Sequence, residues 1–114
     1  MGRDTEISMK IRLDEQNIPE HIEWDATDAE IKGFKQAEAV LIGLWDAEAK
    51  SALQIDLWTK KMTVQEMNLL FYQTFLTLSD TFYRATGNQV SSRAIQGFAR
   101  EFIEEIKRQE EQQK

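Results

Sequence analysis

The chain has one histidine and no cysteine, which restricts the chemistry that its side chains could perform. Nucleophilic catalysis needs a nucleophile that a neighbouring base activates. His21 is the one imidazole available as such a base, and no serine in a glycine-flanked nucleophile elbow accompanies it. We therefore interpret His21 as an ordinary histidine near the start of a strand, and the sequence predicts no catalytic residue.

Metal and cofactor sites lack their usual ligands as well. Transition metals are bound mainly by histidine and cysteine, often several together. A magnesium or calcium site made only of carboxylates stays open at Asp25, Asp28 and Glu30, although their spacing differs from that of a calcium-binding loop. Phosphate-binding loops need clustered glycines before a helix, and the five glycines are scattered. We expect an acidic surface loop here, no metal and no cofactor.

Two further features could belong to a site. Asp56 lies inside a predicted strand, where a carboxylate more often marks the solvent face or protects a sheet edge from aggregation. Trp24, Trp45 and Trp58 could line an apolar ligand pocket. Packing in the core of a small sheet is the alternative that we favour for them.

Composition and charge indicate one small acidic protein. A length of 114 residues predicts a single α+β domain over residues 1–114, and 41% hydrophobic residues can build its core. The net charge of −6 repels nucleic-acid phosphates and anionic membranes. The apolar run at residues 39–45 is too short to span a bilayer, and the N-terminal segment is polar. We expect a cytoplasmic protein without direct membrane insertion.

Hydrophobic periodicity predicts strands in the first part of the chain. Residues 6–14 alternate strictly between apolar and polar, and residues 20–25 form a second, short strand. The connection that follows, residues 26–36, is polar, and we expect one helical turn in it at residues 28–31. An alternating strand at residues 52–59 completes the pattern.

Residues 37–45 fit both a helical stripe and a strand that is buried on both faces, and periodicity alone does not decide between them. Gly43 in the middle disfavours a helix by about 1 kcal/mol relative to alanine. The run is also short, and a clear strand follows it after a polar break, as in a hairpin. We therefore predict a strand, with Asp46 beginning a connecting loop over residues 46–51.

Two helices are predicted in the second part of the chain. Thr63 and Glu66 form the two ends of a capping box, and Gly87 suits a left-handed C-cap. The second helix is predicted to begin near Ser91 or Ser92, and if Ser91 is its cap, Val90 and Ile95 form a hydrophobic staple. Its last segment, residues 107–114, has no apolar side chain and is predicted to fray.

Strands followed by helices in separate blocks predict an α+β fold, a four-stranded antiparallel sheet followed by two C-terminal helices (ββββαα). The first helix is apolar over most of its circumference, which is typical of a helix that contacts a partner as well as its own sheet. The sequence thus suggests a possible homo-oligomer and a candidate protein-interaction surface that consists of Leu69, Tyr72, Phe75, Leu76 and Trp58.

The chain resembles the gliding motility protein C family (GldC) of gliding Bacteroidota over nearly its whole length. The resemblance depends on short strings at residues 11–15, 18–19, 24–26, 44–46, 55–60 and 80–87, among them Ile55-Asp56-Leu57-Trp58-Thr59-Lys60 and Asp80-Thr81-Phe82-Tyr83-Arg84-Ala85-Thr86-Gly87. The resemblance implies a cytoplasmic accessory protein of gliding, without assigned catalytic residues, that works near the gliding and secretion machinery. Its expected partners are protein components of that machinery.

Three functions follow as hypotheses. The first is a non-enzymatic, protein-binding adaptor or assembly factor for the gliding and secretion machinery. The second is a chaperone for exported polypeptides, by analogy with the element order of the export chaperone SecB, although a shared fold does not fix function. The third is a carrier of a small apolar ligand that uses the tryptophans.

Overall fold

The computed structural model describes residues 2–113, and its contacts divide the chain into two compact units, Met1–Met62 and Thr63–Lys114. We call them the strand unit and the helix unit and describe each by itself. The elements in chain order are β1 (Ile7–Leu13), β2 (Pro19–Ala26), β3 (Lys35–Ala37), β4 (Ala39–Asp46), β5 (Ser51–Trp58), α1 (Val64–Thr86) and α2 (Gln89–Gln112). The single-domain expectation stays a prediction.

Antiparallel strands followed by two helices confirm the α+β class, but the single four-stranded sheet is wrong. The strand unit contains a three-stranded sheet in the order β1-β2-β3 and a two-stranded sheet of β4 and β5. The strand predicted at residues 37–45 is interrupted at Glu38, where the chain changes its pairing partner from β2 to β5. The element order is therefore βββββαα.

The three-stranded sheet has one apolar and one polar face, as the alternation in β1 predicts. In the pairing register, Ile11 lies opposite Ile22, and Ile22 lies opposite Ala37. Ile22 therefore lies on the central strand between two apolar neighbours and is fully buried. The polar face carries Lys10 opposite Glu23, a pair of opposite charges that favours this register.

The connection between β2 and β3 contains no helical turn, so the prediction for residues 28–31 is wrong. A two-residue turn at residues 27–28 is followed by irregular chain. Gly33 has φ of +93°, which no helix accommodates. The Lys35 ammonium donates hydrogen bonds to the carbonyls of Ile31 and Gly33 at 2.8 and 2.7 Å, so a side chain rather than a helix satisfies these backbone groups.

Glu38 joins the two sheets through a contact with Thr59, just beyond β5. The Thr59 amide donates to the Glu38 carbonyl at 2.9 Å, and the Thr59 hydroxyl donates to the Glu38 carboxylate at 2.7 Å. Thr59 is only 1% exposed, so its hydroxyl lies where water cannot replace this partner. The hydroxyl is the main reason that the pKa of Glu38 lies below its ordinary value.

The loop between β4 and β5 confirms the predicted role of Asp46. Its carboxylate accepts hydrogen bonds from the amides of Glu48 and Ala49 at 3.0 and 3.1 Å, which forms an Asx-type turn. The Lys50 amide then donates to the Asp46 carbonyl at 2.9 Å, and Lys50 takes φ of +57° to return the chain into β5. The loop and the Thr59 contact fix the hairpin register from both ends.

In the helix unit, the predicted boundaries of α1 are confirmed. Thr63 accepts from the Glu66 amide at 3.0 Å, and the Glu66 carboxylate accepts from the Thr63 amide at 3.2 Å, so the capping box forms. Gly87 closes the helix in the left-handed conformation, with φ of +71°, and donates to the Tyr83 carbonyl at 2.7 Å.

The start of α2 lies earlier than predicted. Asn88, not Ser91 or Ser92, is the N-cap, and its side chain accepts from the Ser91 amide at 3.0 Å. Val90 is 81% exposed and therefore forms no staple with Ile95. With Asn88 as the cap, an orphan amide is satisfied and the helix begins directly after the C-cap of α1.

The polar end of α2, predicted to fray from residue 107, is helical as far as Gln112. Ion pairs one turn apart, Glu104 with Lys107 and Glu105 with Arg108, support this segment. Each is solvent-exposed and contributes little individually.

A reciprocal serine pair lies between the two helices. The Ser79 hydroxyl donates to the Ser92 carbonyl at 2.7 Å, and the Ser92 hydroxyl donates to the Ser79 carbonyl at 2.8 Å. Both residues are buried, together with Ala99. Three small side chains let the helix backbones approach closely, and the hydroxyls bond to the backbone so that their burial leaves no polar atom unsatisfied.

The Glu38–Thr59 contact predicts a pH-dependent stability. A lowered pKa in the folded state means that the contact stabilises the fold above the ordinary carboxyl pKa and that this stability is lost as the pH falls through the folded-state pKa. Thr59→Val should therefore lower the free energy of unfolding at pH 7, and this decrease should become progressively smaller toward pH 3. Urea unfolding across this pH range measures the difference. Thr59→Ser, which keeps the hydroxyl, is the control. If Thr59→Val lowered the free energy of unfolding equally at every pH, the Glu38–Thr59 contact would not be the source of the pH dependence.

The serine pair predicts non-additive mutations. Ser79→Ala and Ser92→Ala should each reduce the free energy of unfolding by about 1 kcal/mol, because each removes a buried hydrogen bond. The two hydroxyl oxygens also lie 2.9 Å apart, and either single alanine already removes this shared contact, so the double variant should cost less than the sum. Urea unfolding of all four proteins completes the cycle. The exposed Thr81→Ala serves as a helix control, and strictly additive costs would count against a coupled pair.

Candidate functional site

The residues that could carry chemistry do not converge in the described part of the chain. The Nε2 atom of His21 lies 2.9 Å from the Glu23 carboxylate on the polar face of β2, and both side chains are partly exposed. Asp25 pairs with Lys35 at 3.2 Å, and Asp28 pairs with Arg3 at 3.0 Å. Over residues 2–113, no three histidine, cysteine or acidic side chains lie together in a way that could hold a metal ion.

One face of the β4–β5 hairpin in the strand unit is apolar over three successive cross-strand pairs. Cross-strand pairs on this face join Val40 to Leu57, Ile42 to Ile55 and Leu44 to Leu53. We call these six side chains the hairpin ladder. Leu44, Leu53 and Ile55 are 52%, 55% and 45% exposed, although apolar side chains of this size are usually inside a protein. A contiguous apolar face of this kind marks an interaction site more often than a free surface.

The opposite face of the hairpin is mixed. Trp45 lies opposite Ala52 and Trp58 lies opposite Ala39, at the two ends of the hairpin, with Gln54 and Asp56 on the same face. Trp45 is 66% exposed and Trp58 is 52% exposed, so the interpretation of these two as core residues is wrong. The alanine opposite each tryptophan is too small to cover the indole ring, so both rings stay open to solvent.

Trp58 also borders a hollow of about 280 Å³ in the strand unit, which is lined by Ile18, Pro19, Asp56, Leu57 and Trp58. Trp24 lies elsewhere, half-buried on β2 under the Lys35 ammonium, which stands 4.5 Å from its ring. The three tryptophans therefore do not line a common pocket.

The helix unit carries a groove along one flank of the helix pair. Its volume is about 390 Å³, and its apolar lining consists of Leu69 and Tyr72 from α1 with Ile103 and Ile106 from α2. Lys107 and Glu110 border it with opposite charges. Leu69 is 50% exposed, so the groove is open to solvent.

The other flank of the helix pair is aromatic. Phe75 makes edge-to-face contacts with Phe71, Phe98 and Phe102, with ring centroids 6.0, 5.1 and 5.4 Å apart. Such contacts contribute roughly 0.5–1.5 kcal/mol each beyond the area that they bury. Phe98 is nevertheless 55% exposed, so the cluster faces outward on one side.

The structure distributes the predicted interaction surface over three places. Leu69 and Tyr72 line the groove, whereas Phe75 lies at the centre of the aromatic cluster on the other flank. Leu76 is half-buried on α1, and Trp58 belongs to the strand unit.

The hairpin ladder was missed because residues 37–45 were interpreted as a strand covered on both faces. The alternation of Leu53, Ile55 and Leu57 was the available signal.

Within residues 2–113, neither helix combines the length and the hydropathy that crossing a membrane requires. The charged and amide side chains of α2 are spread along its whole length, as its sequence shows.

The comparison with protein families decides the relationship that the sequence strings suggested. The model of the gliding motility-associated GldC-like proteins matches residues 19–108. The chain belongs to the GldC-like family. The match includes β2 to β5, α1 and most of α2, and thus the hairpin ladder, the groove and the aromatic cluster. The chain has no significant match among curated proteins or among solved structures.

Membership identifies the protein as gliding motility-associated and confirms the expected family. The hairpin ladder, the groove and the aromatic cluster lie inside the region that the family model matches, whereas β1 precedes it. The hairpin ladder is thus part of the family's own domain.

Proposed function

We propose that this protein is a non-enzymatic adaptor or assembly factor that binds protein components of the gliding and secretion machinery in the cytoplasm, without a cofactor. The hairpin ladder is the observation that supports this proposal most strongly. Its six apolar side chains form one contiguous face within the family domain, and three of them are about half exposed. The fully buried core of a protein–protein interface is more apolar than its rim, and this face is suited to form such a core.

The ladder supplies part of the free energy that specific binding needs. Completing the burial of a half-exposed leucine or isoleucine contributes roughly 1 kcal/mol, so Leu44, Leu53 and Ile55 supply about 3 kcal/mol together. Trp45 and Trp58, on the mixed face of the hairpin, can add aromatic anchors of the kind that dominate interface energies. The proposed partner surface is therefore apolar and complementary to a flat two-stranded sheet.

The helix unit supplies a second contact region in this proposal. Leu69 and Tyr72 line its open groove, and the half-buried Leu76 and Phe75 of the same helix remain candidate contact residues. A groove between two helices with apolar walls and a charged rim accepts an apolar segment of a partner. Trp58, in the strand unit, remains a separate candidate residue of the interaction surface.

A chaperone for exported polypeptides is the second candidate, because apolar side chains are exposed in both units rather than in one patch. A holdase would suppress the aggregation of an unfolded model client at near-stoichiometric concentration, whereas a dedicated adaptor would not. Failure to do so removes this candidate. The ligand-carrier hypothesis has no comparable support, since the tryptophans are separate.

The proposal predicts that Leu44→Glu prevents partner capture. A charge on the ladder pair next to the loop would have to be desolvated against an apolar partner surface, which is strongly unfavourable. Affinity capture of the tagged protein, at native level from gliding cells and followed by mass spectrometry, compares it with the wild type. We expect motility or secretion components to be lost at least tenfold.

Ala47→Glu is the matched control, because it adds the same charge in the exposed loop of the same hairpin. Circular dichroism establishes that both variants keep the fold. Equal recovery of partners by both variants would refute the ladder as the binding face. Capture of a broad set of unfolded exported proteins by the wild type would favour the chaperone instead.

A further inference from the structure

The outer edge of β5 is open. Within residues 2–113, β5 pairs with β4 alone, so the backbone groups on its other side have no strand partner. Residues 51–56 are exposed throughout, whereas residues 39–42 of β4 are half-buried. An unpaired edge of eight residues is a template for a further strand unless the sequence protects it.

β1 and β5 are each the edge strand of a sheet, and they differ in how their sequences protect that edge. β1 carries Lys10 and Arg12 and has an irregularity in its pairing between Arg12 and Leu13, all of which discourage pairing at an edge. β5, Ser-Ala-Leu-Gln-Ile-Asp-Leu-Trp, has no lysine, arginine or proline, and its pairing with β4 is regular. Its one charge is Asp56. β4 is an edge strand too, but it is half-buried over residues 39–42, so β5 is the edge that combines exposure with an unprotected sequence.

The hairpin contacts determine which backbone groups point to this edge. The Thr59 amide bonds to the Glu38 carbonyl, and these residues continue the register in which Trp58 lies opposite Ala39. Hydrogen-bonded and non-hydrogen-bonded pairs alternate along an antiparallel ladder. The odd residues of β5 therefore bond to β4, and the amides and carbonyls of its even residues point outward.

The side chains of β5 are complementary to themselves about Ile55. When two copies of the strand run antiparallel with Ile55 facing Ile55, each Leu53 faces a Leu57 and each Gln54 faces an Asp56. Each Trp58 also faces an Ala52, so a large side chain meets a small one. No like charges lie opposite each other, and the amide can donate to the carboxylate. Cross-strand pairs of these kinds stabilise sheets by roughly 0.2–1 kcal/mol each.

We propose that a second copy of this chain pairs antiparallel along the outer edge of β5, centred on Ile55, to form a continuous four-stranded sheet. About eight backbone hydrogen bonds form, two for each facing pair of even residues. The hairpin ladders of the two copies become one apolar face of double the size. Formation of the dimer does not depend on the proposed partner binding.

The register is tested by cysteine cross-linking, since the natural sequence has no cysteine. In Ile55→Cys the two thiols face each other across a non-hydrogen-bonded pair, with Cβ atoms about 5 Å apart, close to the range of a disulfide. In Leu53→Cys the thiols lie four residues apart along the strands, about 13 Å. Both positions lie on the same face and are similarly exposed, so they are matched.

Under mild oxidation, we expect Ile55→Cys to give a disulfide dimer at least about ten times faster than Leu53→Cys on non-reducing gels. Equal rates would indicate random collision and overturn the proposed register. Absence of the Ile55→Cys dimer, together with a monomeric mass for the wild type by light scattering at about 100 µM, would overturn the dimer.

Charge substitution at Gln54 provides a test that needs no oxidation. Gln54→Lys places an ammonium opposite Asp56 of the second copy and should tighten the dimer, whereas Gln54→Glu places like charges opposite each other and should weaken it. Sedimentation equilibrium measures both dissociation constants, with an expected difference of about tenfold. The same dissociation constant for both variants would contradict the pairing. Leu44→Glu lies away from this edge, so loss of partner capture and loss of the dimer are distinguishable.

Discussion

The hydrogen-bonded contact between Glu38 and Thr59 determines most of what the strand unit presents to its surroundings. It ends the pairing of β3 with β2 and begins the pairing of β4 with β5. Because side chains alternate with a period of two, a shift by one residue would exchange the faces of the hairpin. The backbone bond at Thr59 and the Asp46 turn therefore decide that the ladder shares one face and that the even amides of β5 point outward.

Few apolar side chains are covered in either unit. Ile22 in the strand unit and Ala99 in the helix unit are the apolar residues of the described chain that are buried. A chain that keeps so many large side chains partly exposed gains further burial when it binds other surfaces. The hairpin ladder, the groove and the aromatic flank are such surfaces, and membership in a motility-associated family is consistent with a role in an assembly.

Local signals in the sequence predicted the local structure well. The alternation in β1, the Thr63–Glu66 capping box and the Gly87 C-cap depend on residues that are close in the chain, and all three are found in the structure. The break at Glu38 was not predictable in this way, because it depends on Thr59, which lies 21 residues later. The Asn88 cap was missed since serines that follow it also suit an N-cap.

The candidate surface was predictable only in part. Helical periodicity identified α1 as broadly apolar, but it did not show that Phe75 is enclosed by aromatic rings from α2 while Leu69 stays open. For the hairpin, an apolar run such as residues 39–45 suits a covered strand as well as a binding face. Pairing and exposure, which only the structure provides, distinguish these two.

Amide hydrogen exchange along β5, followed residue by residue by NMR at high dilution, tests the hairpin register most directly. The account predicts slow exchange for Leu53, Ile55 and Leu57, whose amides bond to β4, and fast exchange for Gln54 and Asp56, whose amides point outward. Raising the protein concentration should slow the exchange of the second group alone. Fast exchange of the odd amides, or the same protection at all five positions, would contradict the register on which both proposals depend.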